Sequence, residues 1–133
     1  MTFAELRVDI VILACAISAG IHGALAPDHF TEATGAGVGF VAATVLLAAL
    51  AVALTREPTQ LVLIGACAVF AGLLVSYAFA ITTGVPVLHP KVETVDGLAL
   101  FTKAVEAVGL FTASTLIRRP EVAVTLTAEG TTT

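Results

Sequence analysis

Three groups of residues in this chain have types and spacings that suit chemistry, and all three adjoin apolar runs. The first is the stretch 17–32, ISAGIHGALAPDHFTE, which holds His22 inside a run and places Asp28, His29 and Glu32 just past Pro27. The second is Lys103 and Glu106 in the last apolar run, three residues apart and so able to pair along one helical face. The third is the segment 84–96, with His89, Glu93 and Asp96. Neutral imidazoles with carboxylates suit borderline transition metals such as zinc or copper. Three ligands with an open position suit transfer, and four suit a closed structural site. The candidate metal ligands are His22, His29, Glu32 and His89, and a transition-metal ion is the one cofactor class this donor set points to. No HxxxH, CxxC or HExxH spacing accompanies them. The plainer alternative makes His29 and His89 solvated loop residues and His22 a packing histidine. Lys103–Glu106 is then an internal ion pair that fixes helix register.

The elements that must position these residues follow from composition. Only 12% of the 133 residues are charged while 58% are hydrophobic, and mean hydropathy is +1.03. Soluble domains carry about 25% charged residues, and a chain this short cannot hide so much apolar surface from water. Lipid is therefore the expected solvent. Apolar segments run over about 8–26, 38–55, 61–83 and 97–117, and crossing ~30 Å of hydrocarbon takes roughly 20 helical residues. Helix is the form that satisfies every backbone polar group within a segment. Short connections predict antiparallel neighbours. The expected fold is thus all-α, a four-transmembrane-helix up-down bundle over residues 1–119, followed by a flexible cytoplasmic tail at 120–133. Val122 to Thr127 alternate like a strand, but with no partner strand they read as coil.

Ala24-Leu25-Ala26 has the small-x-small form of a leader cleavage site. Pro27 would follow the cut, and Glu5 offsets Arg7, so the first segment reads as a retained helix. Arg7, Arg56, Arg118 and Arg119 fall on one side of such a bundle and Lys91 on the other, which predicts cytoplasmic termini and a multi-pass protein of the cell membrane. The connections 27–37 and 84–96 then face outward.

Depth brings the polar residues together. Cys15, Ser18, His22 and Leu25 share one stripe of the first helix, and that stripe should face the bundle. Pro27 removes a backbone bond to Gly23. Either the helix continues, placing His29 on the side of His22, or Pro27 starts a short interfacial turn. Counted from the outer ends, Lys103 and His22 are level, Glu106 lies about a turn deeper, and Ser76 and Tyr77 reach the same height. These positions predict an outward pocket lined by His22, Tyr77, Lys103 and Glu106, with His29, Glu32 and His89 at its mouth. Ionisable groups at such depth mark functional sites.

Several classes are disfavoured. A net charge of -4 and a pI of 5.2 leave no basic stripe for nucleic acid. Cys15 and Cys67 share a depth, but without CxxC they read as small apolar residues. Haem needs two facing histidines, and only His22 is inside. No nucleophile–base pair appears, so an enzyme is not expected. Ala16, Gly20 and Ala24, and separately Gly35 and Gly39, form ridges that allow close helix packing within the bundle or a homo-oligomer. Pro27, His29 and Glu32 find a faint echo in Pro86, His89 and Glu93.

The combination of His22, Pro27-Asp28-His29-Phe30 and Glu32, then Thr83-Gly84-Val85-Pro86, Pro90, Glu93, Asp96 and finally Glu106, resembles a group of uncharacterised small four-helix bacterial integral membrane proteins. The resemblance covers residues 10–118 and implies membrane location and four helices; it carries no activity. Small multidrug transporters are similar in length, yet place their coupling carboxylate in the first helix, where this chain has His22. The expected function is a small binding or transport-type protein whose pocket takes a metal ion, proton or small cation. The alternative is a non-catalytic accessory subunit whose polar residues meet a partner in a larger membrane complex.

Overall fold

The computed structural model describes residues 2–85 and 92–117. Four helices make up the described chain: α1 (Phe3–Glu32), α2 (Thr34–Arg56), α3 (Gln60–Thr82) and α4 (Gly97–Leu116). Each is long and apolar enough to cross a membrane, and the all-helical four-span architecture expected from the sequence is the one observed. His89, Pro86, Pro90, Arg118, Arg119 and the tail from 120 onward lie outside the described residues.

Local chemistry sets the helix starts. Thr2 and Glu5 form a reciprocal capping box: the Thr2 hydroxyl accepts from the Glu5 amide at 3.2 Å, and the Glu5 carboxylate accepts from the Thr2 amide at 2.6 Å. The Thr59 hydroxyl accepts from the Val62 amide at 3.3 Å, and the Asp96 carboxylate from the Ala99 amide at 2.7 Å. At the end of α3, Gly84 takes a φ of 73°, a left-handed turn that a Cβ would penalise.

One boundary differs from the sequence reading. The connection expected over 27–37 is almost entirely helix, because α1 runs through Pro27 to Glu32 and α2 begins at Thr34. Pro27 deletes a single rung of the ladder; the turns beyond it close, with the Ala33 amide donating to the His29 carbonyl at 2.9 Å. Ala33, with φ -158° and ψ 132°, is both the C-cap of α1 and the N-cap of α2. So tight a reversal requires Gly37, since a Cβ there would overlap the Phe30 ring.

Neighbouring helices pack as a ring, α1 on α2 and α4, and α3 on α4 and α2, with α2–α3 the thinnest seam. The dry core lies toward the α1 N-terminus, where Val11, Cys15, Leu47, Leu54, Leu63, Ala66, Phe70 and Ala113 are buried together. Cys15 and the half-buried Cys67 are free thiols. The ridge of Ala16, Gly20 and Ala24 faces outward and is exposed, with nothing within 4 Å of a Cβ built at Gly20. Internal close packing falls instead to Gly109, where a Cβ would stand 2.7 Å from the Phe70 ring and 2.9 Å from the Ala14 Cβ. Overpacking of this kind costs about 1–3 kcal/mol. Gly109→Ala should therefore lower the unfolding midpoint in detergent, while Gly20→Ala should not; equal midpoints would contradict this account of the core.

Candidate functional site

Toward the other end of the bundle, the apolar core gives way to charged and polar side chains. Glu106 is the centre of this region. Its residue exposure is 0%, and three side chains from two helices approach its carboxylate. Lys103, one turn earlier on α4, donates from Nζ to Oε2 at 2.6 Å. Ser18 on α1 donates from Oγ to Oε1 at 2.8 Å. His22 Nε2 stands 3.9 Å from the same Oε1, and Thr102 is buried beside this face of α4. A carboxylate removed from water needs such partners, because an unpaired one would cost several kcal/mol.

The imidazole of His22 is oriented from its own helix. Nδ1 lies 2.8 Å from the Ser18 carbonyl, which can only accept, so Nδ1 carries the proton and donates. In the neutral ring, Nε2 then keeps a lone pair on the side of Glu106. His29 repeats the arrangement seven residues later, donating from Nδ1 to the Leu25 carbonyl at 3.0 Å. Because α1 is unbroken through Pro27, both rings lie on one side of it, and Phe40 of α2 meets both. The Phe40 ring stacks on His29 at 3.7 Å between centroids and tilts against His22 at 5.1 Å. His29 Nε2 stands 3.9 Å from Glu93 Oε1, and the Glu93 amide donates to the Ala80 carbonyl at 2.9 Å, tying this stretch to α3.

Between these groups lies a cavity of about 300 Å³. His22, His29, Tyr77 and Lys103 line it, with Phe40, Leu25, Leu73 and Leu98 among its apolar walls and Glu93 and Asp96 at its rim. The Lys103 ammonium sits 5.4 Å from the centre of the Tyr77 ring, within cation–π range. The Tyr77 hydroxyl is buried and has no hydrogen-bond partner among the described residues. The volume lies at the lower end of the range for small-molecule pockets, which are mostly apolar with a few convergent polar groups.

The four residues read from sequence as pocket-forming therefore occur in one place: His22, Tyr77 and Lys103 on the cavity wall, and Glu106 behind Lys103 and His22. The four metal candidates are distributed differently. His22 and His29 share the cavity but Phe40 touches both rings; Glu32 is exposed at the last position of α1; His89 is outside the described residues. Among the described residues no group of three or more His, Cys, Asp or Glu side chains is placed to hold a metal ion. Sequence reasoning missed three participants. Ser18 carried a signal, its place on the His22 stripe, but not its bond to a carboxylate 88 positions away. Phe40 and the Glu93–His29 approach had none.

No family model, curated protein or solved structure matches the chain.

Removing one partner from a buried ion pair costs about 3–5 kcal/mol, whereas replacing both by uncharged groups of similar size is often close to neutral. Lys103→Met should therefore destabilise the bundle strongly in denaturant titrations, and Lys103→Met with Glu106→Gln should recover most of the loss. A double variant as weak as the single one would mean that the pair does not compensate its own charges.

Proposed function

We propose that the chain is a small cell-membrane protein of the binding or transport type, whose outward-facing pocket takes up a proton at the His22–Glu106 pair. The observation that carries this reading is the placement of a tautomerically fixed imidazole, with its Nε2 lone pair 3.9 Å from a fully buried carboxylate oxygen, on the wall of a cavity. An ion pair that only fixed helix register would need neither an imidazole beside it nor a cavity in front of it.

Of the three ligand types the residues suggest, a proton suits the arrangement best. A metal ion needs three or four donors, and the described residues bring two histidines of the proposed set to the cavity. A fixed small cation would meet the Lys103 ammonium, which already occupies Glu106 Oε2. A proton needs only the lone pair of His22, and the imidazolium so formed would be held by the adjacent carboxylate. Ser18, donating to Oε1, holds that carboxylate oxygen toward His22. His29 and Glu93, nearer the rim, give a second imidazole–carboxylate approach on the route from the pocket mouth. Beyond Glu106 the path is closed by the packed core around Phe70 and Leu47, so this conformation binds from one side, and transport would require a second one.

Protein reconstituted into vesicles with an internal pH dye and an imposed pH gradient provides the test. The wild type should dissipate the gradient several-fold faster than empty vesicles, and His22→Gln and the Lys103→Met/Glu106→Gln double variant should return the rate to background. Rates indistinguishable from empty vesicles for the wild type, together with stoichiometric co-purification of other membrane subunits, would favour the accessory-subunit reading instead.

The outward orientation rests on Arg7 and Arg56 standing at the ends opposite the pocket. A cysteine at exposed Thr94, in a Cys15→Ala/Cys67→Ala background, should be labelled in intact cells by a membrane-impermeant maleimide. Labelling only after the membrane is opened would invert the topology and the proposal with it.

A further inference from the structure

The cavity holds more than a proton requires, and its walls specify what else fits. His22 and His29 line it, and with both Nδ1 atoms committed to backbone carbonyls of their own helix, the Nε2 atoms are left to accept. One cationic donor faces it as well: Lys103 has three N–H groups, of which one is spent on Glu106. Around these stand Leu25, Leu73 and Leu98, and the flat surface made by Phe40 stacked on His29.

Charge excludes the two simplest ligand classes. An organic cation would lie against Lys103, and an anion would lie near Glu106, Glu93 and Asp96. The occupant that matches is uncharged, flat on one side, able to donate to imidazole nitrogen and able to accept from an ammonium. A volume of about 300 Å³ admits a substituted six-membered ring.

Its route is also marked. Gly39 on α2 and Ser76 on α3 are among the lining residues exposed at the surface, with Thr94, Asp96 and Leu98 exposed at the α4 end, and α2–α3 is the thinnest seam between neighbouring helices. A Cβ built at Gly39 meets nothing within 4 Å. The pocket is thus bordered on its α2–α3 side by small residues at the surface that would face lipid.

We propose that the pocket binds a hydroxylated aromatic ring of the quinol or phenol class, its hydroxyl hydrogen-bonded to imidazole Nε2 and its oxygen to Lys103, entering between α2 and α3. This rests on the reading of the same pocket as a binding site for protons, since a phenolic O–H beside His22 is the kind of donor that pair can receive. Binding is the whole of the assignment; no electron transfer is involved.

The test uses the full chain in lipid nanodiscs at fixed pH, with trimethylhydroquinone kept reduced, its dimethyl ether, and a decyl-tailed quinol, each measured calorimetrically against empty nanodiscs. The quinol should bind saturably, one per chain, and the dimethyl ether at least tenfold more weakly, because it has no O–H to donate. Gly39→Leu, which adds bulk beside the cavity at the α2–α3 seam, should weaken quinol binding at least tenfold at an unchanged unfolding midpoint. Ala104→Leu, on the opposite α1–α4 groove, should leave it unaltered. Tighter binding of the decyl form than its partition into lipid explains supports the α2–α3 route, and equal binding overturns the route. Quinol and ether binding alike overturns the ligand class, and Gly39→Leu binding as the wild type does overturns the placement of the ring beside the α2–α3 seam. Neither result touches proton uptake in vesicles, which is measured without any ring compound, so a failure of the ligand class and a failure of the proton reading are separately visible.

Discussion

Everything at the polar end of this bundle depends on how one carboxylate is kept out of water. Glu106 has no exposed surface, and in a medium without water its charge must be met inside the protein. Lys103 meets it from the same helix and Ser18 from α1. Because Ser18 and His22 lie one turn apart, the bond that satisfies the carboxylate also sets the rotation of α1 against α4. That rotation in turn carries His29 to Phe40 and fixes where α2 can lie. The ion pair is local in sequence, yet its third partner makes it a constraint on the whole ring of helices.

The fold was legible because lipid as solvent imposes few choices. Four runs of sufficient length, with short connections, leave an up-down bundle as the solution, and that is the observed one. Counting residues from a membrane boundary fixes height even when facing is unknown, and the structure places His22, Tyr77, Lys103 and Glu106 near one another. What resisted was rotation and detail at the ends. All-round apolar helices give no strong sign of which face turns inward, so the ridge of Ala16, Gly20 and Ala24 suited internal packing as well as an oligomer; it is exposed, and close packing falls instead to Gly109, against Phe70 and Ala14. Pro27 looked like a boundary because proline usually is one; here it removes one bond, and the turns on either side close regardless.

The two halves of the bundle answer different demands. Toward the α1 N-terminus, apolar side chains from all four helices interdigitate around Phe70, Leu47 and Val11. Toward the α1 C-terminus, a directed bond joins α1 to α4 beside an open volume lined by all four helices. Tyr77, the sole tyrosine of the chain, marks the transition, its ring under the Lys103 ammonium and its hydroxyl buried without a partner among the described residues.

The single-residue link at Ala33 has a mechanical consequence. With α1 and α2 joined by one extended residue, and Phe30 seated against Gly37, neither helix can swing or turn about its axis without dragging the other. They form a rigid blade carrying both histidines and Phe40. The connection from α3 to α4, leaving through the left-handed Gly84 and running to the Asp96 cap, is much longer. The Ser18–Glu106 bond ties this blade to α4.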